Sequence, residues 1–274
     1  MSSTIAELLQ VSQLPRLEAR LLLEQVTGYS RVQQTTYPER VIPRSQAETF
    51  LTLCQRRQQG EPIAYLLGWR EFYGREFAVS PATLIPRPET ELLVEWALTR
   101  PVTHQPMRYL DLGTGSGVIA TSLALEHAAA HVTATDFSSA ALAVAEENAK
   151  RLGAQVTFYQ GSWWQALAAC PAPQWDVIVS NPPYIAAQDQ HLQQGDLRFE
   201  PQHALTDGQD GLSALTTIIE AAPLYLVSGG WLGLEHGFDQ GEAVRKALQQ
   251  RGFCEVVTER DLAGVERITV GRYA

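Results

Sequence analysis

The chain has 274 residues, 45% hydrophobic and 19% charged, which is the composition of a globular protein and excludes a disordered or collagen-like one. Its net charge of −9 is uneven: residues 1–75 hold nine Lys and Arg against seven Asp and Glu, and the remainder twelve against twenty-three. No concentrated basic footprint of the kind that neutralises phosphates is visible, so no direct nucleic-acid partner is expected.

Cys54, Cys170 and Cys254 are odd in number and widely spaced, which points to free buried thiols rather than a disulfide framework or zinc ribbon. The six histidines lack ligand spacing, and no metal is expected. No run approaches the ~20 apolar residues of a membrane helix, because Pro223, Ser228, Gly229 and Gly230 interrupt the most apolar late segment. Met1 to Gln10 carry Glu7 and no basic residue, unlike a secretory signal, so the expected compartment is the cytoplasm.

In chain order, Thr4 and Glu7 form a capping-box pattern ahead of Leu8 and Leu9, predicting a first helix. Pro15 opens a second, with Leu17, Leu21, Leu22 and Val26 at helical spacing and Gly28 at the C-cap position. Ser45 and Glu48 repeat the box and lead through Phe50, Leu51 and Cys54 to Gly60. These helices can cover one another as a small bundle. After Pro62 comes a short helical turn to Leu67, then a predicted hairpin between Trp69 and Val79 around Gly74. Ser80 to Pro88 reads as extended, and Pro88 opens a helix to about Leu98.

From here strands and helices alternate, which implies a parallel sheet. Strands are predicted at Arg108–Leu112, His131–Asp136, Gln155–Tyr159, Asp176–Ser180 and Trp231–Glu235. Helices are predicted after Gly117, over Ser139–Leu152 closed by Gly153, near Leu212–Leu226 and near Gln240–Arg251. The last two runs, Cys254–Glu259 and Arg267–Arg272, are close enough to pair antiparallel.

Three features carry chemistry. Asp111-Leu112-Gly113-Thr114-Gly115-Ser116-Gly117 places glycines between a strand and a helix, where backbone can approach a ligand and a helix N-terminus offers free N–H donors. Val118 stands where a dinucleotide fingerprint needs glycine, and the loop lacks the lysine of a phosphate-binding loop; glycines packing a helix on a strand are the alternative. Asp136, ending the second strand, can accept both hydroxyls of a ribose diol, although such an Asp is also a common helix cap. Asn181-Pro182-Pro183-Tyr184 follows the fourth strand at the carboxyl edge where open α/β sheets bind ligands. The prolines stiffen the turn and leave the Asn181 side-chain oxygen and the Pro182 carbonyl free to accept from a substrate NH₂, while Tyr184 offers an aromatic face.

Together the Gly113 loop, Asp136 and Asn181 to Tyr184 resemble the S-adenosylmethionine-dependent methyltransferases of planar NH₂ nitrogens. Leu84-Ile85-Pro86-Arg87-Pro88-Glu89-Thr90-Glu91, Arg198-Phe199-Glu200-Pro201, Asp210-Gly211-Leu212, Leu234-Glu235-His236-Gly237 and Gly60-Glu61-Pro62-Ile63-Ala64-Tyr65 extend the match across the chain. It is similar to the peptide chain release factor N5-glutamine methyltransferases, the PrmC or HemK family.

The resemblance implies an α/β, Rossmann-like class I methyltransferase domain over 88–274, with a mostly parallel seven-stranded sheet whose last strand is antiparallel. It implies a small all-α N-terminal domain over 1–68 that docks the substrate, joined by a β-hairpin and extended linker over 69–87. The implied reaction methylates the glutamine of the Gly-Gly-Gln motif of class I release factors, with S-adenosyl-L-methionine giving S-adenosyl-L-homocysteine, by a monomer that has no membrane partner. Gly113, Thr114, Gly115, Ser116, Gly117, Asp136, Trp163 and Asn181 would hold the cofactor. Asn181, Pro182, Pro183 and Tyr184 would hold the glutamine, and Asn181 and Pro182 would position it for attack. Ser162 stands where many relatives have an Asp beside the adenine. A ribosomal-protein glutamine methyltransferase, a nucleobase amino methyltransferase and a non-catalytic binding module are the alternatives.

Overall fold

The computed structural model describes residues 3–101, 105–170 and 174–274. The chain divides into two compact units, Met1–Trp69 and Arg70–Ala274. In the first, β1 (Ser3–Thr4) runs into α1 (Ile5–Val11), followed by α2 (Arg16–Thr27), α3 (Arg31–Thr36), β2 (Val41–Ile42), α4 (Arg44–Gln58) and α5 (Ile63–Leu67). Both bonds of the Thr4–Glu7 capping box form, and Gly28 ends α2 at φ +73°. Ile5, Leu8, Leu22, Leu23, Ile42 and Phe50 make its fully buried centre.

Three features depart from the sequence expectation in this unit. The Ser45–Glu48 box does not form, because α4 starts at Arg44 behind Pro43; Ser45 falls inside the first turn and Glu48 pairs with Arg44 at 2.8 Å. α3 was not expected; it starts with a Ser30–Gln33 capping box and follows too short an apolar pattern to signal a helix. The two-residue strands β1 and β2 pair antiparallel, Ser3 with Ile42 and Thr4 with Val41.

The hairpin of β3 (Trp69–Phe72) and β4 (Arg75–Ala78) precedes a 3₁₀ turn at Pro88–Thr90 and α6 (Glu91–Leu98). The doubly wound part follows: β5 (Arg108–Leu112), α7 (Val118–Glu126), β6 (His131–Asp136), α8 (Ser139–Leu152), β7 (Val156–Gln160), a 3₁₀ segment at Trp163–Ala169 and β8 (Trp175–Ser180). Next come α9 (Gln202–Leu205), α10 (Ser213–Tyr225), β9 (Leu226–Glu235), α11 (Gly241–Gln250), β10 (Phe253–Arg260) and β11 (Glu266–Tyr273).

The seven strands lie in the order β10-β11-β9-β8-β5-β6-β7. β11 is antiparallel to both neighbours, and the other pairings are parallel. Alternation along the central strands sends Tyr109, Val177 and Val179 to one face, under α6, α7 and α8. Leu110, Leu112 and Ile178 go to the other, under α10 and α11. β9 begins five residues before the expected Trp231, because the strand continues through Ser228, Gly229 and Gly230 with a register shift against β8. Cys54 is buried as expected, whereas Cys170 and Cys254 are partly exposed; all three are free. Among the described residues no helix is long and apolar enough to cross a membrane, and no group of three His, Cys, Asp or Glu could hold a metal ion.

Candidate active site

A cavity of about 350 Å³ opens at the carboxyl ends of β5, β6 and β8. Such a crevice forms because the helices that follow these strands leave the sheet toward opposite faces. Its wall brings together residues from four stretches of chain: Thr83 to Thr90, Gly113 to Ser116, Thr135 to Phe137, and Gly161 to Trp163. Asn181 and Pro183 join them, as do His203 and Asp207.

The glycine loop is pinned by the neighbouring strand, since the N–H groups of Gly113 and Thr114 both donate to Thr135 O at 2.9 and 2.8 Å. Its far end is fixed by close packing. Gly117 sits at φ +81° ahead of α7, and a Cβ there would lie 2.9 Å from Cβ of Ala145 on α8, so Gly117 serves the helix packing and does not line the cavity. At Gly115, which does line it, a Cβ would meet nothing within 4 Å.

Asp111 lies beneath the loop, where its Oδ2 accepts from Thr114 Oγ1 at 2.6 Å and from Ala120 N at 3.2 Å. Complete burial pushes its carboxyl up to about 7 against those two hydrogen bonds. Asp136 accepts from Gly115 N and Ser138 N, each at 2.9 Å; burial raises its pKa and these bonds oppose the rise. It therefore ties the loop to the turn ahead of α8, whose cap is Ser138, while remaining on the cavity wall. Thr135 also lines the cavity, and its Oγ1 is buried with no hydrogen-bond partner among the described residues.

Aromatic groups bound one end. Trp163, at φ +44°, stands on the wall close to Gly113, where an added Cβ would meet its ring at 3.3 Å. Ser162 lines the wall beside it. Phe137, 54% exposed, meets His203 edge to face at 4.9 Å between ring centroids, and both line the cavity.

The Asn181 turn is held from several directions. Asn181 Nδ2 donates to Thr90 Oγ1 at 3.1 Å. Pro182 is buried and off the wall, and Pro183 is on it. Tyr184 is also off the wall: its ring packs on the core under α10 and α11, and its hydroxyl donates to Glu235 Oε1 at 3.4 Å. Burial and the Glu235 charge raise the Tyr184 pKa. Gln240 Nε2 donates to Tyr184 O and Gly211 O at 3.0 and 3.2 Å, latching the turn to the loop before α10.

Several supporting groups had no role assigned to them from the sequence. Buried Glu200 receives Ile85 N at 2.8 Å and pairs with Arg87, fixing the proline-rich segment on the wall. Asn148 donates to Ser116 O at 2.9 Å and to Ala78 O at 3.0 Å, joining the glycine loop to β4. Asp207 accepts from the N–H groups of Gln209, Gly211 and Ser213 and closes the loop ahead of α10.

The profile of the PrmC N-terminal domain matches residues 3–68, and that of the methyltransferase small domain matches residues 88–251. The chain is 53% identical over 270 residues to the release factor glutamine methyltransferase of Neisseria gonorrhoeae, covering 98% of each chain. It is 54% identical over 267 residues to that of Bordetella pertussis, covering 97% of this chain and 98% of the relative. The chain belongs to the release factor glutamine methyltransferase family. A methyltransferase from Pyrococcus furiosus shares the fold, with TM-score 0.55 and 19% identity over 80% of this chain and 96% of that one. Membership in the release factor glutamine methyltransferase family accounts for the coexistence of a methyltransferase sheet with a separate helical unit.

Proposed function

We propose that this chain transfers a methyl group from S-adenosyl-L-methionine to the side-chain amide nitrogen of the glutamine in the Gly-Gly-Gln motif of class I peptide chain release factors, in the cytoplasm. The observation that carries the reading is Asn181 on the wall of the same cavity as the glycine loop and Asp136. Full-length relatives of one name and about half-identical sequence support the choice of substrate.

When bound, S-adenosyl-L-methionine supplies an electrophilic methyl group. Gly113 to Ser116 would hold its amino-acid part, Asp136 its ribose and Trp163 its adenine end; Thr135 Oγ1, buried without a partner, fits a polar ligand there. An amide nitrogen is a poor nucleophile because its lone pair is delocalised, so the protein's task is positioning more than deprotonation. Asn181 Oδ1 accepts no hydrogen bond from the described residues and can take one from the substrate NH₂. It would hold that nitrogen toward the methyl donor, with Pro182, buried behind the wall, stiffening the turn. Tyr184 supports the turn from behind through Glu235 rather than forming the cavity wall.

The test is incubation of purified protein with radiolabelled S-adenosyl-L-methionine and, separately, unmodified release factor, the factor with its Gly-Gly-Gln glutamine replaced, ribosomal proteins, and DNA. Label in the unmodified factor alone is the expected outcome. Label in a ribosomal protein or DNA alone would overturn the substrate.

A further inference from the structure

Behind Asn181 lie two buried polar side chains, Thr90 and Glu235. Thr90 Oγ1 is the acceptor for Asn181 Nδ2, so the hydroxyl hydrogen of Thr90 is free to go elsewhere. Thr90 is 2% exposed and needs an acceptor inside the protein. The Glu235 carboxylate, 1% exposed at the end of β9 and beside Asn181 through the Ser180–Leu234 pairing of β8 with β9, has one oxygen taken by Tyr184 and the other, Oε2, without a hydrogen-bond partner among the described residues, Thr90 included.

We propose that Thr90 and Glu235 are positioning residues: the Thr90 hydroxyl donates to Glu235, which obliges Thr90 to accept from Asn181 and locks the Asn181 amide with Oδ1 turned to the substrate. The two ends of an Asn amide are nearly equal in size, and only the hydrogen-bond network decides which one a substrate meets. A hydroxyl without a committed acceptor can donate to Oδ1 instead, which turns the Asn181 NH₂ outward. That orientation offers a donor to a donor and cannot hold a glutamine amide nitrogen. A carboxylate at the end of the chain excludes it, because a carboxylate accepts only. The same device selects amide over acid: Oδ1 accepts from the NH₂ of glutamine and repels the oxygens of glutamate.

The charge of Glu235 is therefore part of the device. Burial raises its pKa to about 7, the Thr90 hydroxyl and Arg267 act to lower it, and Glu89 acts to raise it further; Tyr184 contributes a weaker lowering. Above that pH the carboxylate enforces the direction of the chain. Below it, a protonated Glu235 can donate to Thr90 and allow the reverse. Turnover should accordingly rise with pH through about 7.

Both residues matter in this way only if the chain methylates an amide as proposed above. The experiment compares wild type with Thr90→Val, Thr90→Ser and Glu235→Gln. It measures kcat and KM on a Gly-Gly-Gln peptide from pH 6 to 9, S-adenosyl-L-homocysteine affinity, and affinity for Gly-Gly-Gln against Gly-Gly-Glu peptides. Thr90→Val and Glu235→Gln should lose about 10- to 100-fold in kcat. They should also narrow the glutamine preference in binding and keep cofactor-product affinity within about threefold, since neither change touches the glycine loop. Thr90→Ser should recover most of the loss, and Glu235→Gln should lose the rise in kcat through pH 7. Equal losses in Thr90→Val and Thr90→Ser, or an unchanged glutamine preference in both lowered variants, would overturn the positioning role while wild-type activity upheld the function. A wild type that transfers no methyl to glutamine would overturn both.

Discussion

The two units of this chain spend their surface differently. Among the large hydrophobic side chains left exposed, Val11, Leu17, Val32, Tyr37 and Val41 belong to residues 1–69, and Phe137, Leu224, Phe238, Val257 and Leu262 to the threefold longer remainder. The larger unit instead concentrates buried polar groups, with Asp111, Thr135, Asp136, Asn148, Glu200 and Glu235 all at or near one cavity. Buried polar networks fix geometry for chemistry, whereas exposed apolar side chains scattered singly are ordinary for a protein surface. If the helical unit docks the substrate, as the resemblance implies, variants in the two units should have separable effects.

The largest effect is expected at Asn181. Asn181→Ala should lower kcat by about 10²–10³-fold, the usual scale for one positioned hydrogen-bonding group at a reacting centre, with cofactor affinity within about threefold. Isothermal titration beside steady-state kinetics reads both; a parallel loss of cofactor affinity would merge the roles assigned to the turn and the glycine loop.

A second test concerns the stability of the larger unit. Asp111 is raised to about 7 in the fold, whereas the unfolded chain titrates near the ordinary 3.8. The folded state thus holds a proton that the unfolded state releases, and this contribution to stability is present at low pH and lost as pH rises through about 7. Asp111→Asn keeps an oxygen for Thr114 and Ala120 and does not ionise. Denaturant unfolding should show its stability relative to wild type improving from about pH 4 to 7 and then levelling. A difference that is constant across this range would show that Asp111 stays ionised.

On the recognition side, the double variant Val32→Asp with Tyr37→Ser should raise KM for intact release factor by about 10-fold and leave KM for a short Gly-Gly-Gln peptide unchanged. Equal effects on both substrates would remove recognition from the helical unit. The smallest effect is expected from Thr4→Ala, which removes the cap of α1 and should cost about 1 kcal/mol in the transition that reports on residues 3–69, without moving kcat.

What the sequence disclosed follows the range of the interactions involved. The glycine loop, Asp136 and Asn181 directly follow apolar strands, so hydrophobic patterning located them at the strand ends where ligands bind. Thr90 meets Asn181 across 91 positions, Glu200 meets Ile85 across 115 and Asn148 meets Ala78 across 70, and no local pattern announces such pairs. Tyr184 shows the opposite error: an aromatic residue beside a reactive turn suggested a face for the substrate, but its side chain turns to the core and Glu235. Punctuation misled where packing overruled it. Ser228 to Gly230 looked like a break, yet β9 runs through them, and a Cβ at Gly230 would stand 2.9 Å from Val227 O.

The proposed role of the Asn181 turn is to present a glutamine side-chain nitrogen to the methyl donor. Its most direct test is fragmentation mass spectrometry of release factor after incubation with the wild-type protein and isotopically labelled S-adenosyl-L-methionine. One labelled methyl on the side-chain nitrogen of the Gly-Gly-Gln glutamine is expected. A methyl on any other residue, or an unmodified glutamine in the presence of active protein, would contradict it.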